Sequence, residues 1–401
     1  MTASQRSSDK LSPIELYKNA EKSAKIAGLR YVSDQQPGIR RQRWGRGFSY
    51  IDVDGTRIQE PKKKTYFKEL AIPPSWEDVW ICCDENGHLL VTGKDLKGRK
   101  QYRYHPEWIA LRDQLKFDRL IPFTEALPTL RKAVHAEIER AVKAARAFEK
   151  SKQAKPKKSQ RSLSKAILDR STVIAATVQL LDQTSIRVGN VQYSQTNQSY
   201  GLTTLKKKHV DVSSAEIELH YIGKSGVSRE VHLQDATLAK LVKRCAEIPG
   251  QTLFQYFDDE GQKQSVDSGD INEYLQNTMG GPFTAKDFRT WGGTVAAATA
   301  LLAKEKARIP KEKERNQDAK EPSQKTLTSD MVDAVKIAAK QLGNRPATCR
   351  KYYIHPAVFA AYEAGGLEGA IATHPIKETD LAKFLDIEEQ NTLSVLRANQ
   401  L

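Results

Sequence analysis

The chain has 401 residues, enough for two or three domains, and its 39% hydrophobic content is adequate for a packed core. A formal net charge of +15, with a pI of about 9.4, points to a polyanionic partner, most commonly nucleic acid. The polar start MTASQRSSDKLSP and the absence of a long apolar run argue against secretion or a membrane span, so a cytoplasmic, nucleoid-associated location is expected.

In chain order, residues 1–30 read as a polar extension with a short helix near Ile14 to Ala27. Residues 31–112 change texture. GFSYIDVDG, DVWICCDENGHLLVTG and KQYRYH are β-rich runs between Gly, Asn and Pro turns, with DENG as a hairpin turn. A small, mainly β N-terminal domain is expected there. Within GKDLKGRKQYRYHPEW, Lys97, Arg99, Lys100 and Arg103 interleave with Tyr102, Tyr104 and Trp108. Such a strand suits phosphates and bases, and equally suits a solvated edge with core aromatics on its other face. Cys82, Cys83, Cys245 and Cys349 form no CxxC pair, so neither structural zinc nor a disulfide framework is expected.

From residue 113 to 401 the period turns helical. Leu130, Val134, Ile138, Ala141, Val142 and Ala145 form one stripe, a basic loop is expected over 149–165, and Ile167, Ser171, Ile174, Val178 and Leu181 form a second stripe. Arg187 follows in TSIRVGN; read alone it is an ordinary helix-end arginine. GLTTL, KHVDV, EIELHYIG and VSREVHL alternate at period two and predict a small antiparallel sheet, with Lys224 in the turn of YIGKSGVS. Thr284 and Asp287 predict a capping box for the helix bearing Arg289, where a cation opposes the helix dipole. Residues 303–326 read as a charged linker or exposed helical arm. Val332, Val335, Ala338, Ala339 and Leu342 then form a helix that Gly343 ends. The fold class is therefore α+β, a β-rich domain followed by a larger, mainly helical one containing a small sheet.

The stretch NRPATCRKYYIHPAV brings Tyr352 and Tyr353 onto a basic run. A tyrosine attacking a phosphodiester needs charge stabilisation at phosphorus and a proton donor for the leaving oxygen. Arginine forks suit the first task and a lysine the second. Neither task requires a metal or a cofactor, and no Asp, Glu and His cluster shows ligand spacing.

GRKQYRYHPEW, IRVGN…YGLTTLKKKHV, IGKSGVSREV, KDFRTWGGT and LGNRPATCRKYYIHP occur in this order. Together they resemble the type IB DNA topoisomerases of the compact poxvirus type, also found in bacteria, over about residues 35 to 370. The resemblance implies a catalytic core like that shared with tyrosine recombinases, a monomer clamping double-stranded DNA, and relaxation of supercoils without ATP or metal through a 3′-phosphotyrosyl intermediate. It assigns Arg187 and Arg289 to the scissile phosphate, Lys224 to the leaving 5′-oxygen and Tyr353 to attack, with Tyr352 as its neighbour. Asn344, nine residues before Tyr353, stands where poxvirus enzymes have histidine. An amide can still donate to a phosphate oxygen but carries no charge. Lys97, Arg99, Gln101, Tyr102, Tyr104, Tyr193 and Lys286 are the expected DNA contacts. Two other readings remain at this level. A tyrosine recombinase would show His-x-x-Arg where KDFR has Lys286, and a non-catalytic architectural protein would have no need of the Arg, Lys and Tyr set.

Overall fold

A computed structural model describes residues 12–154, 168–313 and 322–399. Contacts divide the chain into two compact units, residues 1–119 and 120–401.

The first unit begins with α1 (Pro13–Lys18) and α2 (Ala20–Ile26). Ser12 and Glu15 form a capping box on the former, and Asn19 caps the latter, which splits the single expected helix in two. Then come β1 (Ile39–Trp44), β2 (Gly47–Ile51), α3 (Pro61–Glu69), β3 (Glu77–Ile81), β4 (Leu89–Lys94), β5 (Lys100–Tyr104) and α4 (Pro106–Asp118). The strands make one antiparallel sheet in the order β2-β1-β3-β4-β5. DENG turns as expected, Gly87 N–H donating to Asp84 O at 3.0 Å. Alternate residues of the central strands, Ile39, Val79, Ile81 and Val91, pack on Phe67 of α3, which the sequence reading did not separate from its strands. Helix α4 belongs to this unit, so the division falls past the expected boundary at 112.

The second unit contains α5 (Leu120–Ala154), α6 (Arg170–Thr184), α7 (Val191–Asn197), β6 (Val210–Val212), β7 (Glu216–Ile222), β8 (Ser228–Gln234), α8 (Ala236–Glu247), β9 (Gln255–Phe257), β10 (Lys263–Ser265), α9 (Ser268–Met279) and α10 (Ala285–Lys313). It closes with α11 (Gln324–Leu342), α12 (Pro346–Tyr353), α13 (Pro356–Glu363), α14 (Leu367–Thr373), α15 (Thr379–Phe384) and α16 (Ile387–Ala398). The expected α5 stripe is inside: Leu130, Val134, Ile138, Ala141 and Ala145 are buried.

Several sequence expectations are corrected here. Helix α6 has no single apolar stripe, since residues 172–178 are buried without interruption and Ser171 is exposed; Ile167 lies outside the described residues. Residues 149–154 of the expected basic loop continue α5, and 155–165 lie outside the description. The sheet is β6-β7-β8, but GLTTL is a short 3₁₀ turn because Gly201 N–H bonds Thr204 Oγ1 at 3.0 Å. Residues 303–313 continue α10 and 324–326 begin α11, with 314–321 undescribed. Charge density misled here because Lys304 and Arg308 do not face only water. They reach Asp330 of α11, Lys304 at 3.2 Å.

The C-terminal helices fold back onto this core. Arg131 of α5 bonds both Asp182 of α6, at 2.7 Å, and Glu389 of α16, while Trp291 Nε1 donates to Glu389 at 2.8 Å. Removing one partner from such a buried network strands a charge.

Candidate active site

Helix α6 stops at Ser185, which adopts the left-handed conformation (φ 52°) and sends the chain toward Arg187. Gly189 (φ 105°) then lies against Gly201, where a Cβ would fall 2.6 Å from Arg187 O and from Gly189 Cα. That approach lets Leu202 N–H donate to Arg187 O at 2.8 Å and Thr203 N–H to Val188 O at 2.7 Å. Both blocks of IRVGN…YGLTT thus serve to fix the backbone under one guanidinium.

Arg289 sits in the second turn of α10, whose start Asp287 caps by accepting from Thr284 N–H at 2.8 Å. Its guanidinium is almost fully buried and donates to Ser185 O at 2.6 Å and Leu342 O at 2.9 Å; its Nε has no partner. Burial, and then the charge of Arg187, pull its pKa down to about 10, so it remains a cation at neutral pH. Burial also lowers the Arg187 pKa, with Tyr353 opposing.

Gly343 ends α11 in the left-handed conformation (φ 60°) and delivers Asn344 beside these arginines. Arg187 Nη2 donates to Asn344 Oδ1, and Asn344 Nδ2 is buried without a partner. A buried donor left open costs about 1–3 kcal/mol, which a bound acceptor would recover.

Tyr353 ends α12 with its ring centroid 5.1 Å from Arg289 Cζ. Burial alone would raise the phenol's pKa, but Arg289, then Arg187 and Lys286, outweigh it and hold the value below the ordinary one. Tyr352 is more exposed and lies beside Lys351, whose Nζ is 5.2 Å from the ring. His355 is occupied as the cap of α13, its Nδ1 accepting from Ala357 N–H at 3.1 Å.

The sequence reading passed over the residues that press these elements together. A Cβ on Gly292 would fall 2.3 Å from Ser185 Oγ, and one on Gly293 2.6 Å from Tyr353 O. Adjacent glycines inside a helix each cost about 1 kcal/mol relative to alanine, so WGGT was the available signal for a close backbone approach. Gly293→Ala is expected to push the end of α12 away from Arg289. Since a carbonyl 2.6 Å away cannot stay in place beside the added methyl, the variant's melting temperature should fall.

Arg187, Arg289, Asn344 and Tyr353 are therefore gathered in one place. Lys224 is not bonded to them. It stands exposed at the β7–β8 tip, where Ser225 (φ 66°) and Gly226 (φ 75°) make the turn, and among the described residues no hydrogen bond or ion pair holds its side chain. Lys286 is exposed on the first turn of α10. Tyr193 lies in α7, its side chain outside the described residues.

In the first unit, strand alternation places Tyr102 and Tyr104 on one face of β5, their exposed rings stacked at 5.9 Å. Lys100 shares that face and pairs with Asp34 at 2.5 Å. Arg103 is turned to the opposite face, where it donates to Ala71 O at 2.6 Å. Arg99 and Gln101 both bond Asp95 Oδ2, at 2.8 and 2.9 Å, and the hydrogen bond from Arg99 lowers the Asp95 pKa to about 2. Lys97 is exposed on the β4–β5 turn. Among the described residues, no group of three or more His, Cys, Asp or Glu side chains is placed to hold a metal ion, and no helix is long and apolar enough to cross a membrane.

Comparison with known proteins bears directly on this arrangement. Residues 105–368, which carry Arg187, Lys224, Arg289, Asn344 and Tyr353, match the family described as eukaryotic DNA topoisomerase I, catalytic core. Residues 47–95 match the N-terminal domain of bacterial DNA topoisomerase IB. The DNA topoisomerase 1B of Acanthamoeba polyphaga mimivirus is 31% identical over 321 residues, covering 79% of this chain and 85% of the relative. DNA topoisomerase I of monkeypox virus and DNA topoisomerase 1B of vaccinia virus (strain Copenhagen) are each 26% identical over 189 residues, 46% of this chain and 50% of theirs. With the family model spanning most of the helical unit and the mimivirus likeness extending over most of the chain, this protein belongs to the type IB DNA topoisomerases.

Proposed function

We propose that this enzyme relaxes supercoiled double-stranded DNA by transesterification at Tyr353. The phenolate oxygen attacks phosphorus, the bond from phosphorus to the 5′-oxygen breaks, and a 3′-phosphotyrosyl link forms. The phenol proton leaves to solvent, and Lys224 supplies the proton that makes the departing end a 5′-hydroxyl. In the reverse step that hydroxyl attacks, Lys224 takes the proton back and the tyrosine leaves. One phosphodiester replaces another, so no ATP is consumed. Arg187 and Arg289 bind the non-bridging oxygens and stabilise the charge that builds there, with Asn344 Nδ2 as a neutral donor.

The observation that carries this reading is the lowered pKa of a half-buried phenol beside a buried arginine, a combination that structural packing does not need. The exposed Tyr102 and Tyr104 rings, with Lys97, Arg99, Gln101, Tyr193 and Lys286, are proposed contacts to the duplex, which a monomer engages. The deciding experiment is relaxation of a supercoiled plasmid lacking any recombination site, quenched with denaturant. Relaxation with a covalent protein–DNA adduct supports the reading. Binding without an adduct would leave only an architectural role.

Lys224→Ala is expected to slow cleavage about 10²- to 10⁴-fold, the usual range for a lost general acid. A substrate with sulfur in place of the 5′-oxygen should restore the rate, because a thiolate leaves without a proton (a thiol's pKa is about 8.5). Absence of rescue would make Lys224 a phosphate contact instead.

A further inference from the structure

Among the described residues Lys224 has no side-chain partner, so its position is only as well defined as the hairpin that bears it. Arg229, the second residue of β8 and the cross-strand neighbour of Tyr221, ties that hairpin down. Its Nη2 donates to Gln341 O at 2.9 Å in the last turn of α11, and its Nη1 to Lys340 O at 3.4 Å, a carbonyl that also accepts from Gly343 N–H at 3.2 Å. The fit is close on both sides. A Cβ on Gly343 would fall 2.1 Å from Arg229 Nη1, and one on Gly223, at the foot of the turn, 3.1 Å from its Cγ. The arginine therefore runs between two glycines, one beside Lys224 and one beside Asn344.

The point at which it lands is informative. Leu342, next along α11, gives its carbonyl to Arg289, and Asn344 receives the Arg187 bond. One helix end thus collects the buried arginine, the amide and the tether from the lysine-bearing turn. The Arg229 charge is also among those felt by Arg187 and Arg289.

We propose that Arg229 is a positioning residue that fixes the distance between the Lys224 ammonium and the phosphate pocket, by clasping the β7–β8 hairpin to the end of α11. This rests on the reading of Lys224 as the proton donor. A simple helix-capping role for Arg229 would stabilise α11 without any preference for the chemistry of the leaving group, which is what the experiment separates.

Single-turnover cleavage is measured on ordinary DNA and on DNA with a 5′-bridging sulfur, for the full chain carrying Arg229→Ala, Arg229→Lys or Lys224→Ala. Arg229→Ala should lose about 10²-fold on ordinary DNA, the cost of misplacing a reacting group by about 1 Å, and regain most of it on the sulfur substrate. Arg229→Lys, whose ammonium can still reach one carbonyl, should lose less and be rescued in the same way; it carries the test should the alanine variant not fold. In the Lys224→Ala background, Arg229→Lys should add little further loss. Equal slowing of both substrates by the Arg229 variants, with Lys224→Ala rescued normally, overturns the clasp and leaves a capping arginine. A Lys224→Ala variant that sulfur does not rescue overturns the proton-donor reading beneath it. Wild-type rates in both Arg229 variants also overturn the clasp.

Discussion

Tyr353→Phe is expected to abolish the covalent adduct and supercoil relaxation while leaving DNA binding in place; Tyr352→Phe is expected to leave both activities near wild type. The two phenols differ in surroundings rather than in chemistry. Tyr353 is half-buried with its ring beside Arg289, and the combined charge of Arg289, Arg187 and Lys286 outweighs the burial that would keep it protonated. Tyr352 is the more exposed of the pair and lies beside Lys351 on the outer side of α12. A depressed phenol pKa enlarges the phenolate fraction at neutral pH, so cleavage by the wild type should rise with pH and level off below the usual phenol value near 10. Denaturant-trapped adduct, followed by gel against pH, reads all three outcomes. An adduct surviving in Tyr353→Phe but lost in Tyr352→Phe would reverse the assignment.

Arg289→Ala should lower cleavage by about 10²- to 10³-fold, the cost of deleting one preorganised donor to a developing oxyanion. Arg289→Lys should recover little of it. The guanidinium binds Ser185 O and Leu342 O at once and keeps its Nε unbonded. A single ammonium cannot reproduce that planar fork. The alanine variant also leaves those two carbonyls without their donor, at about 1–3 kcal/mol for each buried group left open, so its melting temperature should drop as well. Lysine activity equal to that of the wild type would show that charge alone suffices and that the fork has no role.

Much of the site was legible in the sequence because its chemistry is carried by residue types in ordered blocks: IRVGN, KDFRT and KYYIHP each hold one of Arg187, Arg289 and Tyr353, and the structure gathers these three. What was not legible depends on backbone approach. Gly293 lies against the Tyr353 carbonyl, Gly343 makes room for Arg229, and Ser185 offers a carbonyl rather than a side chain. None of these contacts leaves a pattern of hydrophobicity or charge. The fold shows the same division. The α5 stripe was readable because one face of that helix meets the core, whereas α6 is enclosed over most of its length and has no polar face to set a period. The charged end of α10 reads as a linker until Asp330 is brought alongside by α11.

Tyr353 is not at the end of a tail. Among the described residues four helices follow it, and the last is locked to α5 and α10 through Glu389, while Thr294 Oγ1 receives the His355 N–H at 3.1 Å two residues after Tyr353. Under the transesterification proposed above, a DNA strand joined to this phenol would be moored to a packed interior on both sides of its attachment. As the released end spun, the twisting load would pass into that interior instead of swinging the tether, and the phosphorus would stay where the returning hydroxyl could find it.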